Sequence, residues 1–121
     1  MNRDQLYFDL FQTALEGGIN HWSQCSMYYW EAEYGVEDLQ GFRADVHPVD
    51  SEDDEDWDRM VIDRRVIARG YTLATTLWRG RVSWSTGKPP VVIREDTDWD
   101  YDAGDADVIV QLGLFGDVTY G

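Results

Sequence analysis

The stretch that decides the fold class runs from Ser26 to Pro48 and reads SMYYWEAEYGVEDLQGFRADVHP. Apolar and polar residues alternate from Tyr28 to Tyr34, and they alternate again from Phe42 to Pro48. Alternation with period two is typical of a half-buried strand. We therefore predict two strands that pair as an antiparallel hairpin. The polar residues that would face each other across this hairpin are Glu31, Glu33 and Arg43.

Three segments outside the hairpin show helical spacing of their apolar residues. Arg3–Glu16 repeats leucines and aromatics at i and i+4, and Gly17 and Gly18 should end it. Arg64–Trp78 is the second helix, with Asp58 or Asp63 as its cap and Gly70 explained by close packing against the sheet or the first helix. The third helix covers about Asp105–Phe115, and 91–93 is a short strand candidate. These elements predict a single α+β domain over 1–121, with about three helices packed on a small antiparallel sheet.

The charge of the chain is strongly uneven. The 121 residues carry a formal net charge of −14, from 24 acids and 10 bases. Asp50–Asp58 and Glu95–Asp107 together hold 14 of those acids and no base, so the remainder is neutral. We call these two segments the first and second acidic runs, and we expect loops at 50–58 and 95–105. Like charges crowded in this way repel one another.

Composition excludes several classes of protein. A polyanion gains nothing from counterion release on DNA or RNA, so we expect no direct nucleic-acid binding. Attraction to an anionic membrane is equally disfavoured, and no apolar stretch is long enough to cross one. No signal peptide is evident, and the one cysteine, Cys25, cannot form an internal disulfide framework. A single thiol fits a reducing compartment.

The acidic runs have two interpretations. They are solvated loops, including the case of a halophilic protein, or they form a surface that binds a partner. Aromatic residues within both runs favour the second, because a segment needed only for solubility has no use for tryptophan. The predicted partner-binding residues are Asp50, Glu52, Asp53, Asp54, Glu55, Asp56, Trp57, Asp58, Asp96, Asp98, Trp99, Asp100, Tyr101 and Asp102.

Metal binding and catalysis find little support in the sequence. The second acidic run approaches the spacing of a calcium loop, but position six is Tyr101 instead of glycine and position twelve is not glutamate. His21 and His47 show no recognisable spacing to a nucleophile, and Cys25 is expected to be a small packed residue. We predict no cofactor, no dedicated metal site and no enzymatic activity.

Arginines on the second helix form an alternative site. Guanidinium groups can hold phosphate through paired hydrogen bonds, and neighbouring aromatic rings can stack a base. The competing interpretation is that these arginines pair with the acidic runs. The candidate ligand-binding residues are Arg64, Arg65, Arg69, Tyr71, Trp78 and Trp84.

Three segments resemble a known family. They are ALEGGINHW at Ala14–Trp22, IDRRVIARG at Ile62–Gly70, and ADVIVQLGLFG at Ala106–Gly116. They are similar to a family of small accessory proteins of tailed bacteriophages, especially those that infect actinobacteria. The resemblance implies a phage protein that acts in the host cytoplasm, and it supplies no site residues. The first acidic run departs from the family pattern.

Three functions follow as hypotheses. The first is an anti-defence inhibitor whose acidic runs imitate nucleic-acid phosphates and bind a host defence or nucleic-acid-binding protein. The second is a sponge that sequesters a nucleotide immune signal through the arginine site, possibly as a homo-oligomer. The third is a phage structural or assembly protein.

Overall fold

A computed structural model describes residues 3–33, 35–48, 59–76 and 103–120, without the side chains of residues 75 and 76. The predicted α+β class and the single compact domain are confirmed. None of the described helices is long and apolar enough to cross a membrane. In chain order the elements are α1 (Arg3–Thr13), a π-helical turn (Ala14–Gly18), β1 (Ser23–Tyr29), β2 (Glu31–Glu33), β3 (Val36–Glu37), β4 (Arg43–Pro48), β5 (Met60–Asp63), α2 (Arg64–Thr76) and α3 (Ala103–Phe115).

The described strands form an antiparallel sheet in the order β1-β4-β5. Pairing runs from Ser23 opposite Pro48 to Tyr29 opposite Arg43, with a bulge between Cys25 and Met27. Beyond this sheet the hairpin continues as a two-stranded ribbon of β2 and β3. The hairpin predicted from the alternating pattern is therefore confirmed, and the ribbon lengthens it.

One face of the sheet packs against the helices. Ala44, Val46 and Ile62 are fully buried and belong to the same apolar cluster as Phe8 and Phe11 of α1. This shared core is the reason why α1 lies on the sheet, as its i and i+4 spacing predicts. The ring of Phe42, just before β4, lies 4.5 Å from that of Phe11.

Two glycines set the distance between α2 and α3. A Cβ added at Gly70 would lie 1.8 Å from the carbonyl oxygen of Ile109, and one added at Gly113 would lie 2.0 Å from that of Val66. The helix backbones therefore touch where they cross. Gly70 does reflect close packing, but the prediction of its partner was wrong: the partner is α3, because α3 occupies the groove beside α2.

The hairpin prediction was wrong in its register. Glu31 pairs with Glu37, and Arg43 pairs with Tyr29, because β3 intervenes as a return strand before β4 begins. The Arg43 guanidinium instead donates to Asp45 Oδ1 at 3.0 Å. Tyr28 is also 58% exposed although the alternation places it on the buried face, because both faces of β1 are exposed beyond Ser23.

Several predicted boundaries shift or fall outside the described residues. α1 ends in a π-helical turn, closed by the Ile19 N–H donating to the Ala14 carbonyl at 3.0 Å. β5 was not predicted, although the Asp63 cap was: its Oδ1 accepts from the Val66 N–H at 3.1 Å. α3 begins two residues early, at Ala103. The strand candidate at 91–93 and the end of the second helix at residues 77 and 78 lie outside the described residues.

Candidate functional site

The predicted partner-binding residues lie at 50–58 and 96–102, outside the described residues, but Pro48 before the first set and Ala103 after the second are described. Pro48 ends β4 before the first acidic run and pairs with Ser23 at the start of β1. Ala103 begins α3 within the second run, and its carbonyl oxygen would lie 2.7 Å from a Cβ on Gly18. Pro48 and Ala103 therefore both contact the Gly18–Ser23 segment.

Hydrogen bonds hold the Gly18–Ser23 segment together. The Ile19 carbonyl accepts from the Ser23 N–H at 2.9 Å and from the Ser23 hydroxyl at 2.8 Å. Ile19 and Trp22 are buried, so this short connection is anchored in the core. Pro48 and Ala103 consequently adjoin one anchored segment at the same end of the described structure.

A buried carboxylate lies at this same end. Asp107 is the fifth residue of α3, and its Oδ1 accepts from Trp22 Nε1 at 2.7 Å and from Gln111 Nε2 at 2.9 Å. Burial raises the pKa of Asp107, and this effect outweighs the hydrogen bonds from Gln111 and Trp22 and the charge of His21. Asp107 therefore differs from the exposed charge that its place in the second acidic run predicts.

The ring of His21 completes the contacts of this carboxylate. Its Nδ1 lies 3.1 Å from the Gly18 carbonyl, which can only accept, so Nδ1 donates. Its Nε2 then faces Asp107 Oδ2 at 3.6 Å.

Gln111 ties the C-terminal segment to the same network. Its side chain is fully buried, and its Oε1 accepts from the N–H groups of Thr119 and Tyr120 at 2.8 and 2.7 Å. Its Nε2 donates to the Tyr120 carbonyl at 3.0 Å as well as to Asp107. The Tyr120 ring stacks on Trp22 with centroids 4.8 Å apart and planes 1° from parallel. All hydrogen-bonding groups of this amide are thus used.

The sequence analysis missed this network. Trp22 and Asp107 are 85 positions apart, and no spacing rule joins such residues. The only available signals were the tryptophan itself and a glutamine on the apolar face of the third helix. Neither indicates a partner, because a buried amide is recognised only once its surroundings are known.

Some residues of the candidate arginine site already contact other side chains, whereas others are exposed to solvent. The Arg64 guanidinium donates from Nη2 to Asp4 Oδ1 at 2.7 Å and lies 5.2 Å from the centre of the Tyr7 ring. That hydrogen bond is the main reason why the pKa of Asp4 is lowered. Tyr71 is 3% exposed and packs edge-on against Tyr7, so its ring is not presented to solvent for stacking.

The remaining members of this site have different surroundings. Arg65 and Arg69 are exposed, whereas residues 78 and 84 lie outside the described part of the chain. Arg65 lines an open cleft of about 230 Å³ together with Arg64, Arg43 and Asp63. Three guanidinium groups beside one cleft are a possible anion site, although Arg64 and Arg43 already have carboxylate partners.

The candidate catalytic and metal-binding side chains are placed as follows. Cys25 is exposed on β1, so the prediction that it is a packed residue was wrong. Its Sγ donates to the Met27 carbonyl at 3.3 Å, and partial burial is the largest cause of the raised pKa of its thiol. His47 is half-buried on β4. Among the described residues, no group of three or more His, Cys, Asp and Glu could hold a metal ion.

Comparison with family models, with curated proteins and with solved structures gives no match.

Proposed function

We propose that this protein is a phage-encoded, non-enzymatic inhibitor that acts in the host cytoplasm on a defence protein or a nucleic-acid-binding protein. Its two acidic runs would occupy the basic groove of that partner in place of nucleic-acid phosphates. One observation carries the proposal: Pro48, shortly before the first run, and Ala103, where α3 begins within the second run, contact the same short segment, Gly18–Ser23.

Shared attachment matters because charge acts collectively. Asp105 and Asp107 belong to α3, which leaves twelve other carboxylates in the two runs. Twelve carboxylates attached near one segment would add their fields, whereas the same number spread over a surface would not. A concentrated negative potential accelerates encounter with a positively charged groove and discriminates against acidic partners. The aromatic residues within the runs would provide apolar contacts inside the charged surface.

The test uses two variants with the same change in net charge. One carries Asp53→Asn, Asp54→Asn and Asp56→Asn in the first run. The control carries Glu31→Gln, Glu33→Gln and Glu37→Gln in the β2–β3 ribbon, which are exposed carboxylates that belong to neither run. Binding to host proteins is measured at low and at high salt, with double-stranded DNA as competitor.

The proposal predicts that the acidic-run variant loses capture and inhibition of the partner, while the ribbon variant keeps both. Capture by the unmodified protein should fall steeply with salt, and DNA should compete for the same partner. Inhibition that survives the acidic-run substitutions would falsify the proposal. Equal losses in both variants would show that bulk charge is responsible and would contradict it as well.

The open cleft beside Arg43, Arg64 and Arg65 favours one alternative function, the sequestration of a nucleotide signal. Here a thermal-shift screen with cyclic dinucleotides, cyclic trinucleotides and ADP-ribose derivatives is decisive. A ligand at about 100 times its dissociation constant stabilises by about 2.7 kcal/mol, which corresponds to several degrees for a domain of this size. The shift should disappear in Arg65→Ala and persist in the acidic-run variant. A structural or assembly role would be shown by copurification with virions.

A further inference from the structure

Among the described strands, β1 has a neighbour on one side only. β1 pairs with β4 on one side, and no other described strand pairs with it. All of its residues after Ser23 are exposed, including Met27 at 56%, Tyr28 at 58% and Tyr29 at 41%. Large apolar side chains on a free edge are unusual in a protein that must remain soluble.

Free strand edges are normally protected against further pairing. Charged side chains, especially lysine, are the usual devices, and so is proline, because each makes the approach of another strand unfavourable. The sequence of β1, SQCSMYY, contains none of them, although charged residues make up 28% of the chain. Its bulge lies between Cys25 and Met27, so the ladder from Met27 to Tyr29 is regular and available as a template.

The same edge becomes acidic where the strand continues. Glu31 and Glu33 of β2 are exposed, and Glu37 lies directly across the ribbon from Glu31. The edge from Met27 to Glu33 therefore has an uncharged aromatic half followed by a carboxylate half. A segment that matches both halves has apolar residues at one end and basic residues at the other.

We propose that the Met27–Glu33 edge binds an extended segment of a partner protein by strand addition, with apolar residues beside Met27–Tyr29 and lysine or arginine beside Glu31 and Glu33. Main-chain hydrogen bonds would provide the affinity, and the aromatic and acidic halves would provide the specificity and direction. A second copy of this chain is the disfavoured occupant, since two molecules of charge −14 repel each other. This surface shares no residue with the acidic runs and does not depend on the function proposed for them.

The experiment uses a ten-residue peptide that alternates valine and threonine in one half and valine and lysine in the other. Two control peptides have glutamate in place of lysine, or alternate N-methylated backbone amides that cannot pair. Binding is followed by chemical-shift changes in a ¹⁵N-labelled protein and by hydrogen exchange of the β1 amides. Exchange separates strand addition from simple charge attraction, because only backbone pairing slows it.

The lysine peptide should bind, shift the resonances of residues 27–33 and slow exchange in β1. The glutamate and N-methylated peptides should bind at least about tenfold more weakly. Glu31→Gln with Glu33→Gln should weaken binding about threefold to tenfold, as expected for two exposed ion pairs. Asp53→Asn with Asp54→Asn changes the net charge equally and should have no effect. Met27→Lys, at an exposed position, should also weaken binding.

Three results would overturn the inference. They are an absence of binding at about millimolar peptide, shifts that map away from residues 27–33, and an N-methylated peptide that binds as well as the unmodified one. Self-association of the free protein that Met27→Lys abolishes would also overturn it, because the edge would then pair with a second copy. None of these results bears on the acidic runs, whose own variants test them separately.

Discussion

Gly70 of α2 and Gly113 of α3 lie against each other's helix backbone. The position of a Gly70 Cβ falls 1.8 Å from the Ile109 carbonyl oxygen and 3.1 Å from the Gly113 nitrogen, and the position of a Gly113 Cβ falls 2.0 Å from the Val66 carbonyl oxygen. Neither obstacle is a flexible side chain that could move aside. The close crossing of the two helices therefore depends on both residues lacking a side chain.

Gly70→Ala and Gly113→Ala should each destabilise the protein. Overpacking of this kind lowers the free energy of unfolding by about 3 kcal/mol, which exceeds the gain of about 1 kcal/mol in helix propensity. Gly17→Ala is the control, because its Cβ would meet only the Ala103 Cβ at 3.9 Å. Urea denaturation measures all three, and a neutral Gly113→Ala would contradict the close crossing.

Gln111→Leu should lower the free energy of unfolding by about 2 kcal/mol and loosen the C-terminal segment. The leucine fills similar space but leaves the N–H groups of Thr119 and Tyr120 without their acceptor. Hydrogen exchange at residues 118–120 should accelerate in the variant. Gln40→Leu, at an exposed turn, is the matched substitution and should remain within about 0.5 kcal/mol of the unmodified protein. If hydrogen exchange at residues 118–120 were unchanged in Gln111→Leu, the side-chain amide of Gln111 would not hold the C-terminal segment in place.

Asp107→Asn should alter how stability depends on pH. A carboxyl whose pKa is raised by folding holds its proton longer in the folded state. Its favourable contribution is complete below the unfolded pKa of about 3.9 and is lost as the pH rises through the folded pKa. The stability of the unmodified protein relative to Asp107→Asn should therefore fall with rising pH across that window. Denaturant titrations at a series of pH values measure this difference.

Asp4→Asn provides the opposite case for the same titrations. The pKa of Asp4 is lowered, chiefly by its hydrogen bond from Arg64, so its contribution is present above the unfolded pKa and is lost as the pH falls. The two variants should consequently show slopes of opposite sign. If stability changed with pH in the same direction for both variants, the pKa direction given for one of the two carboxyls would be wrong.

Cys25 should react slowly with iodoacetamide although it is exposed. Its raised pKa, caused mainly by partial burial, leaves less thiolate at neutral pH than an unstructured cysteine has. The rate at pH 7.5 should lie below that of a short cysteine peptide, and its dependence on pH should be displaced upward. The same chain unfolded in urea serves as the reference. A native thiol that reacts faster than the unfolded one would contradict the assigned pKa direction.

The local patterns of the sequence predicted most of the elements. Alternation around Phe42–Pro48 predicted β4, and i, i+4 spacing predicted α1, because both patterns reflect which side of one element meets the core. Register was not predictable in this way. Glu31 lies opposite Glu37 because a return strand forms after the turn, and a two-residue strand such as β3 leaves no periodic trace.

The features of the candidate site also fall into two groups, those given by the sequence and those given by the tertiary structure. The positions of the acidic runs and the uncharged composition of β1 are properties of the sequence alone, since counting residues is enough to establish them. That β1 lies at an edge and that Pro48 and Ala103 adjoin one segment required the tertiary structure. The hydrogen bond between Trp22 and Asp107 also required the tertiary structure, because it joins opposite parts of the chain. Local spacing determines the elements, whereas contacts between distant residues depend on how those elements pack.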